Sequence, residues 1–293
     1  MSEAVRIFVF GLGYSAGRFA RAMAGGVEWV AGTVRGIDKA VAFAATPGVR
    51  PFVFDGKSPG VGIAEAAKAA THIVVSIPPG EVDPVLEQHR ASILAAPSLR
   101  WIGYLSTVGV YGNYGGAWVS EATTPHPVSE RAKQRLVAEK AWAALSAERG
   151  VPLATFRIAG IYGPGRNAFV NLAEGKAHRI VKAEQVFNRI HVDDIVAALA
   201  ASVTRGTVGV VNLADDEPSP PQDVVAYAAE LAGIPPPPEM PFEKADLSPM
   251  ARSFYGENKR VSNRRLRDEL GVDLAYPNYR IALEAMWRTG TWR

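Results

Sequence analysis

A glycine turn set between a strand and a helix constrains this chain more than any other segment. Val5–Phe10 is a short β-branched and aromatic run, and Gly11-Leu12-Gly13-Tyr14-Ser15-Ala16-Gly17 follows it directly. The segment fits G-x-G-x-x-G/A in the context that gives the pattern meaning, after a strand and before a helix. Gly11 allows the tight turn, Gly13 lets the backbone approach a pyrophosphate, and Ala16 or Gly17 lets the helix lie close to the sheet. The amides at the start of that helix then face the phosphates. A dinucleotide-binding unit is therefore expected here.

The rest of the chain repeats the same alternation. Strand candidates are Val5–Phe10, Trp29–Val34, Pro51–Phe54, His72–Ile77, Trp101–Ser106, Leu153–Ile158 and Val208–Leu213. Helical patterns intervene at Arg18–Ala24, Pro84–Leu94 and Ser129–Glu148, and a helix is expected to start at Asp193 or Asp194 as its N-cap. This is the signature of an α/β fold, a Rossmann-type doubly wound parallel sheet. The four-proline run Pro235–Pro238 excludes helix and central strand, and a more basic tail follows with helices expected near Ser262–Leu270 and Tyr279–Arg288. The expected organisation is a Rossmann domain over 1–165, completed by 187–215, and a smaller mixed α/β substrate domain over 166–186 and 216–293.

Which dinucleotide is bound depends on the second strand. It ends Gly32-Thr33-Val34-Arg35 without the acid that would hold a free ribose 2′-hydroxyl. Arg35 offers a forked, permanently charged donor set for a 2′-phosphate, so NADP is expected over NAD; the other reading makes Arg35 an ordinary solvated arginine. Asp55, just after the third candidate strand, and Ser76, near the end of the fourth, complete the expected cofactor set.

Composition removes several alternatives. The 293 residues contain no cysteine, which excludes disulfides, thiolate metal sites and a cysteine nucleophile. The formal charge of +3 is a weak field for a chain of this length, and residues 252–293 hold nine Lys and Arg against five Asp and Glu. That segment lacks aromatic interleaving and any recognition helix, so a nucleic-acid partner is not expected. The uncharged stretch 101–120 contains five glycines and reads as a strand and loop, so no membrane partner is expected and the cytoplasm is the expected location.

Further motifs resemble the short-chain dehydrogenase/reductase superfamily in its extended branch of nucleotide-sugar epimerases and dehydratases. Leu105-Ser106-Thr107-Val108-Gly109-Val110-Tyr111-Gly112 is similar to the fifth-strand motif ending in V-Y-G, which puts Thr107 at the catalytic Ser/Thr position. Arg157 through Arg166, ending Tyr162-Gly163-Pro164-Gly165-Arg166, resembles the sixth-strand motif, and Arg189-Ile190-His191-Val192-Asp193-Asp194 resembles the segment opening the next helix. The resemblance implies a small-molecule substrate, possibly a nucleotide sugar, with Tyr111 near the reaction and Tyr162 and Arg166 at the substrate. The basic residues Lys259, Arg260, Arg264, Arg265 and Arg267 would meet its diphosphate. It also makes a homodimer through Ser129–Glu148 plausible.

One departure bears on mechanism. The family's Tyr-x-x-x-Lys pair aligns with Arg131 and Arg135, between Ser129 and Glu139. Guanidinium exchanges no proton near neutrality, so neither arginine replaces a phenol as acid or base. Two readings stand: the arginines act electrostatically on an anionic substrate, or they form a solvated helix face near Glu130 and Glu139. Tyr255-Gly256-Glu257-Asn258-Lys259 repeats the spacing elsewhere, and Tyr111 and Tyr162 are other candidate phenols. Thr107 itself is either a substrate hydrogen-bonder or a cap on its own strand. His126 and His191 read as structural, and no metal-ligand spacing is present. The expected function is an atypical NAD(P)-dependent oxidoreductase or epimerase-like enzyme, with a dinucleotide-binding sensor as the alternative.

Overall fold

The computed structural model describes residues 4–293. Seven strands form one sheet: β1 (Arg6–Phe10), β2 (Trp29–Val34), β3 (Val49–Val53), β4 (His72–Val75), β5 (Trp101–Thr107), β6 (Leu153–Ile158) and β7 (Gly209–Leu213). Their spatial order is β7-β6-β5-β4-β1-β2-β3. The pairings of β1 with β2 and β4, of β2 with β3, and of β4 with β5 are parallel. The order reverses between β1 and β4, and that reversal is where doubly wound sheets open a ligand crevice at the carboxyl ends of their strands.

Helices α1 (Tyr14–Met23), α2 (Ile37–Ala44), α3 (Ile63–Ala69), α4 (Pro84–Leu94), α5 (Glu130–Arg149), α6 (Ala168–Ala173), α7 (Val192–Arg205), α8 (Pro221–Leu231), α9 (Pro249–Phe254) and α10 (Tyr279–Thr289) supply the connections and covers. The short helices α2 and α3 and the helix α8 fall where the residue pattern gave no helix. The expected helix over Ser262–Leu270 reduces to a single wide turn at Arg265–Glu269, closed by Leu270 N to the Arg265 carbonyl at 3.1 Å. Asn263 Nδ2 is committed to the Ala214 carbonyl (3.0 Å) and Asp216 Oδ1 (2.7 Å), which holds the chain at the point where a helix would begin. Helix α7 starts at Val192, so neither Asp193 nor Asp194 is its N-cap. The Asp194 carboxylate instead accepts from Ala275 N (2.8 Å) and Tyr276 N (3.2 Å).

The chain divides into two compact units. Unit 1 comprises the residues up to Thr107 together with Glu130–Arg157 and Val196–Val211, and holds most of the large sheet. Its core joins Phe8, Phe10, Ile73, Val75, Ile102 and Tyr104 to Trp142 and Leu145 of α5. Helix α5 reaches that core through Ala132, Arg135, Ala138, Glu139, Trp142 and Leu145, a repeat of three and four residues that defines one inward stripe.

Unit 2 comprises Val108–Ser129, Ile158–Ile195 and Asn212–Arg293. It contains three small parallel pairs: Gly160–Tyr162 with Arg189–His191, Arg179–Val181 with Glu239–Pro241, and Trp118–Val119 with Arg260–Val261. Tyr162, Phe169, Tyr279, Leu283 and Met286 form its larger apolar cluster, and Ile180, Ala245 and Tyr255 a second. The proline run lies inside this unit, between α8 and Glu239–Pro241. The stretch 101–120 is β5, a 3₁₀ turn at Val108–Tyr111 and a loop leading to Trp118–Val119. No helix among the described residues is long and apolar enough to cross a membrane.

Candidate functional site

In unit 1 the parallel register brings the carboxyl ends of four strands side by side, with Val9 opposite Gly32, Phe10 opposite Val75 and Val34 opposite Val53. The glycine turn rises from the centre of this row. Gly11 N donates to Thr33 Oγ1 (2.9 Å), and Leu12 N donates to the Thr33 carbonyl (2.7 Å). Thr33 thus moulds the turn from the neighbouring strand, a role the sequence signalled only by its place at the end of β2.

The three glycines of the turn differ in what requires them. Gly11 has φ +96°, and a Cβ there would stand 2.8 Å from Ile77 Cγ1. A Cβ on Gly17 would meet Phe43 Cζ at 2.8 Å, so the Phe43 ring would have to shift to admit a side chain. Gly13 is exposed, has φ −83° and ψ −159°, and a Cβ there would meet no atom within 4 Å. Its backbone is extended and open to any residue. Nothing in the protein requires glycine at 13, and the bare position leaves the main chain open to a ligand.

Helix α1 completes the cradle. Gly13 provides no side-chain cap and the first turn carries no acid, so the opening amides keep their partial positive charge for an anion. Ser15 and Ala16 are buried and Gly17 donates to the Gly13 carbonyl at 2.8 Å, while Tyr14 is half-buried beneath Arg18. Arg35 is exposed immediately after β2. Asp55 Oδ1 accepts from Lys57 N (2.8 Å) and Ser58 N (3.3 Å), and the Lys57 amide holds its carboxyl below the ordinary value. Ser76 is half-buried, and its amide bonds to the Phe10 carbonyl at 2.8 Å. The residues present fit a dinucleotide: an open backbone at Gly13, amides above it, and polar groups along one strand edge.

The end of β5 is built differently. Thr107 is half-buried at the strand's carboxyl end. Arg135 is buried, donating from Nη1 to the Leu105 carbonyl (2.7 Å) and Tyr104 Oη (3.3 Å). Burial pushes the Tyr104 phenol above its usual range. Arg131, a turn earlier on α5, is exposed. The solvated-face reading therefore fits Arg131 and does not fit Arg135 or Glu139. Glu139 is buried, where its carboxylate receives Ser106 Oγ and forms an ion pair with Arg157, at 2.8 Å to Nη2 and 3.2 Å to Nε. Arg157 and Ser106 stood within the motifs, but only the packing of α5 on the sheet joins them.

Unit 2 holds the other candidate residues. Tyr111 is buried and donates to Asn212 Oδ1 at 2.8 Å; Asn212 in turn donates from its backbone N to Glu121 Oε1 (2.9 Å) and from Nδ2 to the Ser262 carbonyl (3.1 Å). Tyr162 is buried edge-on to His191, ring centroids 5.4 Å apart, and burial pushes its phenol far upward. Its hydroxyl has no hydrogen-bond partner among the described residues. Arg166 is exposed on a tight turn closed by reciprocal Gly163 and Arg166 backbone bonds of 3.0 Å. Arg260 donates to the Gly116 carbonyl.

The basic tail is largely paired. Arg265 meets Glu269 at 2.8 Å and Arg267 meets Asp216 at 2.5 Å, while Arg264 is exposed. Lys259 is buried against the Gly112 carbonyl (2.8 Å) and Glu257 (2.6 Å), and Tyr255 sits between Phe187 and Phe242. The second Tyr-x-x-x-Lys spacing is thus divided between an aromatic cluster and a loop clamp. His191 lies between the rings of Tyr162 and Tyr276 and accepts from Asp193 N at 3.2 Å. Asp215 is a buried acid that the sequence gave no reason to single out; burial raises it to about 8.

Residues 93–214 match the model of the NAD dependent epimerase/dehydratase family. A conserved protein of unknown function from Silicibacter pomeroyi DSS is 47% identical, with a TM-score of 0.88 over 98% of this chain and 99% of that one. A Methylobacillus flagellatus protein, provisionally assigned as an NAD-dependent epimerase/dehydratase, is 25% identical with a TM-score of 0.75, covering 98% and 99% of the two chains. The Bacillus cereus UDP-glucuronic acid 4-epimerase, solved with NAD, shares the fold at 16% identity and a TM-score of 0.77, over 99% and 100%. No curated protein matches the chain.

Proposed function

From the match of residues 93–214 to the NAD dependent epimerase/dehydratase family, we propose that the chain is an atypical NAD(P)-dependent oxidoreductase or epimerase-like enzyme. Its substrate in this reading is nucleotide-sugar-like, or another small anionic molecule with a carbonyl or hydroxyl group. The observation that carries the reading is Gly13, a bare position that leaves the main chain open to a ligand. The fold-sharing B. cereus epimerase is a nucleotide-sugar enzyme that holds NAD, which supports both cofactor and substrate class.

The cradle of Gly11, Gly13, Tyr14, Ser15, Ala16 and Gly17 would hold the pyrophosphate, with Asp55 and Ser76 along the same edge. Exposed Arg35 favours NADP over NAD, since a guanidinium pairs with a 2′-phosphate and an acid at that position would repel it. When bound, the nicotinamide group accepts or supplies a hydride. Thr107 would hydrogen-bond a substrate oxygen at the end of β5. Arg135 would act through the strand, because its guanidinium braces the Leu105 carbonyl two residues before Thr107. Arg131 would contribute positive charge rather than a proton, and Tyr111 a phenol four residues past Thr107. Within unit 2, Tyr162, Arg166 and Arg260 would meet the substrate. A homodimer through α5, where Val137 is 62% exposed, belongs to the same proposal.

The alternative is a dinucleotide-binding sensor, favoured by the absence of any phenol and ammonium pair on α5. Purified protein incubated with NADPH or NADH and a panel of nucleotide sugars and small carbonyl compounds separates the two. Turnover of any member supports the enzyme; tight cofactor binding without turnover supports the sensor; no binding of either dinucleotide defeats both.

A further inference from the structure

The amino edge of the large sheet carries an opening that the proposed reaction leaves unused. The strands of unit 1 run parallel, so the residues at the starts of β1, β4 and β5 lie at the opposite edge from the glycine turn. Between those strand starts and the carboxyl-terminal ends of α1 and α7 lies a groove of about 520 Å³. Small-molecule sites fall in the range of roughly 300–1,000 Å³, with mostly apolar walls and a few converging polar groups.

The lining has that composition. Val5, Met23 and Val27 give aliphatic surface, backed by buried Val203 and by buried Trp101, whose Nε1 donates to the Thr207 carbonyl at 2.8 Å. Arg100, Arg205 and Thr204 are polar members of the wall, and no carboxylate lines it among the described residues. Neighbouring Glu28 is turned to Arg6 at 3.7 Å.

Charge then decides which ligand fits. His72, also in the wall, is bonded to Thr71 Oγ1 at 2.8 Å; burial and the Arg100 charge hold its ring down to about 4, so it is neutral near pH 7. The helix ends oppose an anion, each with roughly half a negative charge. Gly26 N on the Met23 carbonyl (3.0 Å) and Thr207 N on the Ser202 carbonyl (3.3 Å) occupy part of that charge. Two full guanidinium charges outweigh what is left, and their forked donors match a carboxylate.

We propose that this groove binds an amphipathic carboxylate, its short acyl or aryl body on the aliphatic surface of Val5, Met23 and Val27 and its carboxylate met by Arg100 and Arg205. The site is separate from the dinucleotide cradle and does not depend on the reaction proposed above.

Calorimetric titration of the full chain with sodium octanoate tests it, with octylamine and 1-octanol as probes of equal length. Octanoate is expected to bind at least about tenfold more tightly than either comparator, with and without saturating NADPH. Arg205→Gln and Arg100→Gln should each weaken octanoate by about tenfold. Arg205 is exposed at a helix end, so its variant keeps the test open even if Arg100→Gln disturbs folding. Equal binding of the three probes, no binding of octanoate, its displacement by NADPH, or indifference to Arg205→Gln in a protein that melts like the parent overturns the proposal.

Discussion

The β1–α1 turn and the β5–α5 pair occupy neighbouring places at one edge of the same sheet, and they are assembled on opposite principles. The first is open: a side chain on its defining residue, Gly13, would touch nothing, and no side chain caps its opening amides. The second is closed: Ser106, Glu139 and Arg157 are buried and bonded together, and Arg135 is buried against the Leu105 carbonyl and Tyr104. A surface awaiting a ligand keeps polar groups unpaired, whereas a structural junction pairs them inward. By that criterion α5 carries a brace at Arg135 and Glu139, while the β1–α1 turn has the open shape that a ligand needs.

The contrast breaks most visibly at Glu139. Glu139→Ala leaves Arg157 charged and buried and strips Ser106 of its acceptor, so a loss of about 3–5 kcal/mol is expected in urea unfolding. If the loss were under about 1 kcal/mol, the junction would not be the brace described. Gly11→Ala comes next, with about 1–3 kcal/mol lost, because its positive φ and the 2.8 Å approach to Ile77 must both be relieved. Arg35→Asp is expected to move the NADPH-to-NADH preference by about tenfold or more toward NADH, read by fluorescence titration; tighter NADH binding by the parent chain would remove the basis for NADP. The smallest effects on folding belong to the open positions. Gly13→Val should change unfolding free energy by no more than about 0.5 kcal/mol while abolishing dinucleotide binding. Arg131→Ala should be similarly silent in unfolding, and a kcat effect without a KM effect would assign it to the reaction rather than to solvation.

The open region was legible in the sequence because its information is local. A strand, two spaced glycines and a helix start lie within a dozen residues, and each glycine has its own physical reason. The closed region was not. Arg131 and Arg135 share a spacing that places them near one another on a helix, yet the boundary of the buried stripe passes between them. Only the position of the sheet decides which one turns inward. Glu139 reads as an ordinary helix-surface acid until Arg157, distant in sequence, is brought beneath it. Helices α2 and α3 escaped notice because at two turns each they are too short for periodicity to build up. Asp194 looked like a helix cap, but its carboxylate serves a loop 81 residues away.

The empty space around Gly13 separates two demands that the turn otherwise carries together. A Cβ at 11 or 17 would stand 2.8 Å from a neighbouring side chain, so part of the cost of a substitution there falls on the fold. Position 13 is free of that demand, and a side chain there would be felt only by a molecule lying on the turn. A substitution at 13 is therefore a silent probe of the architecture and a direct one of the cradle.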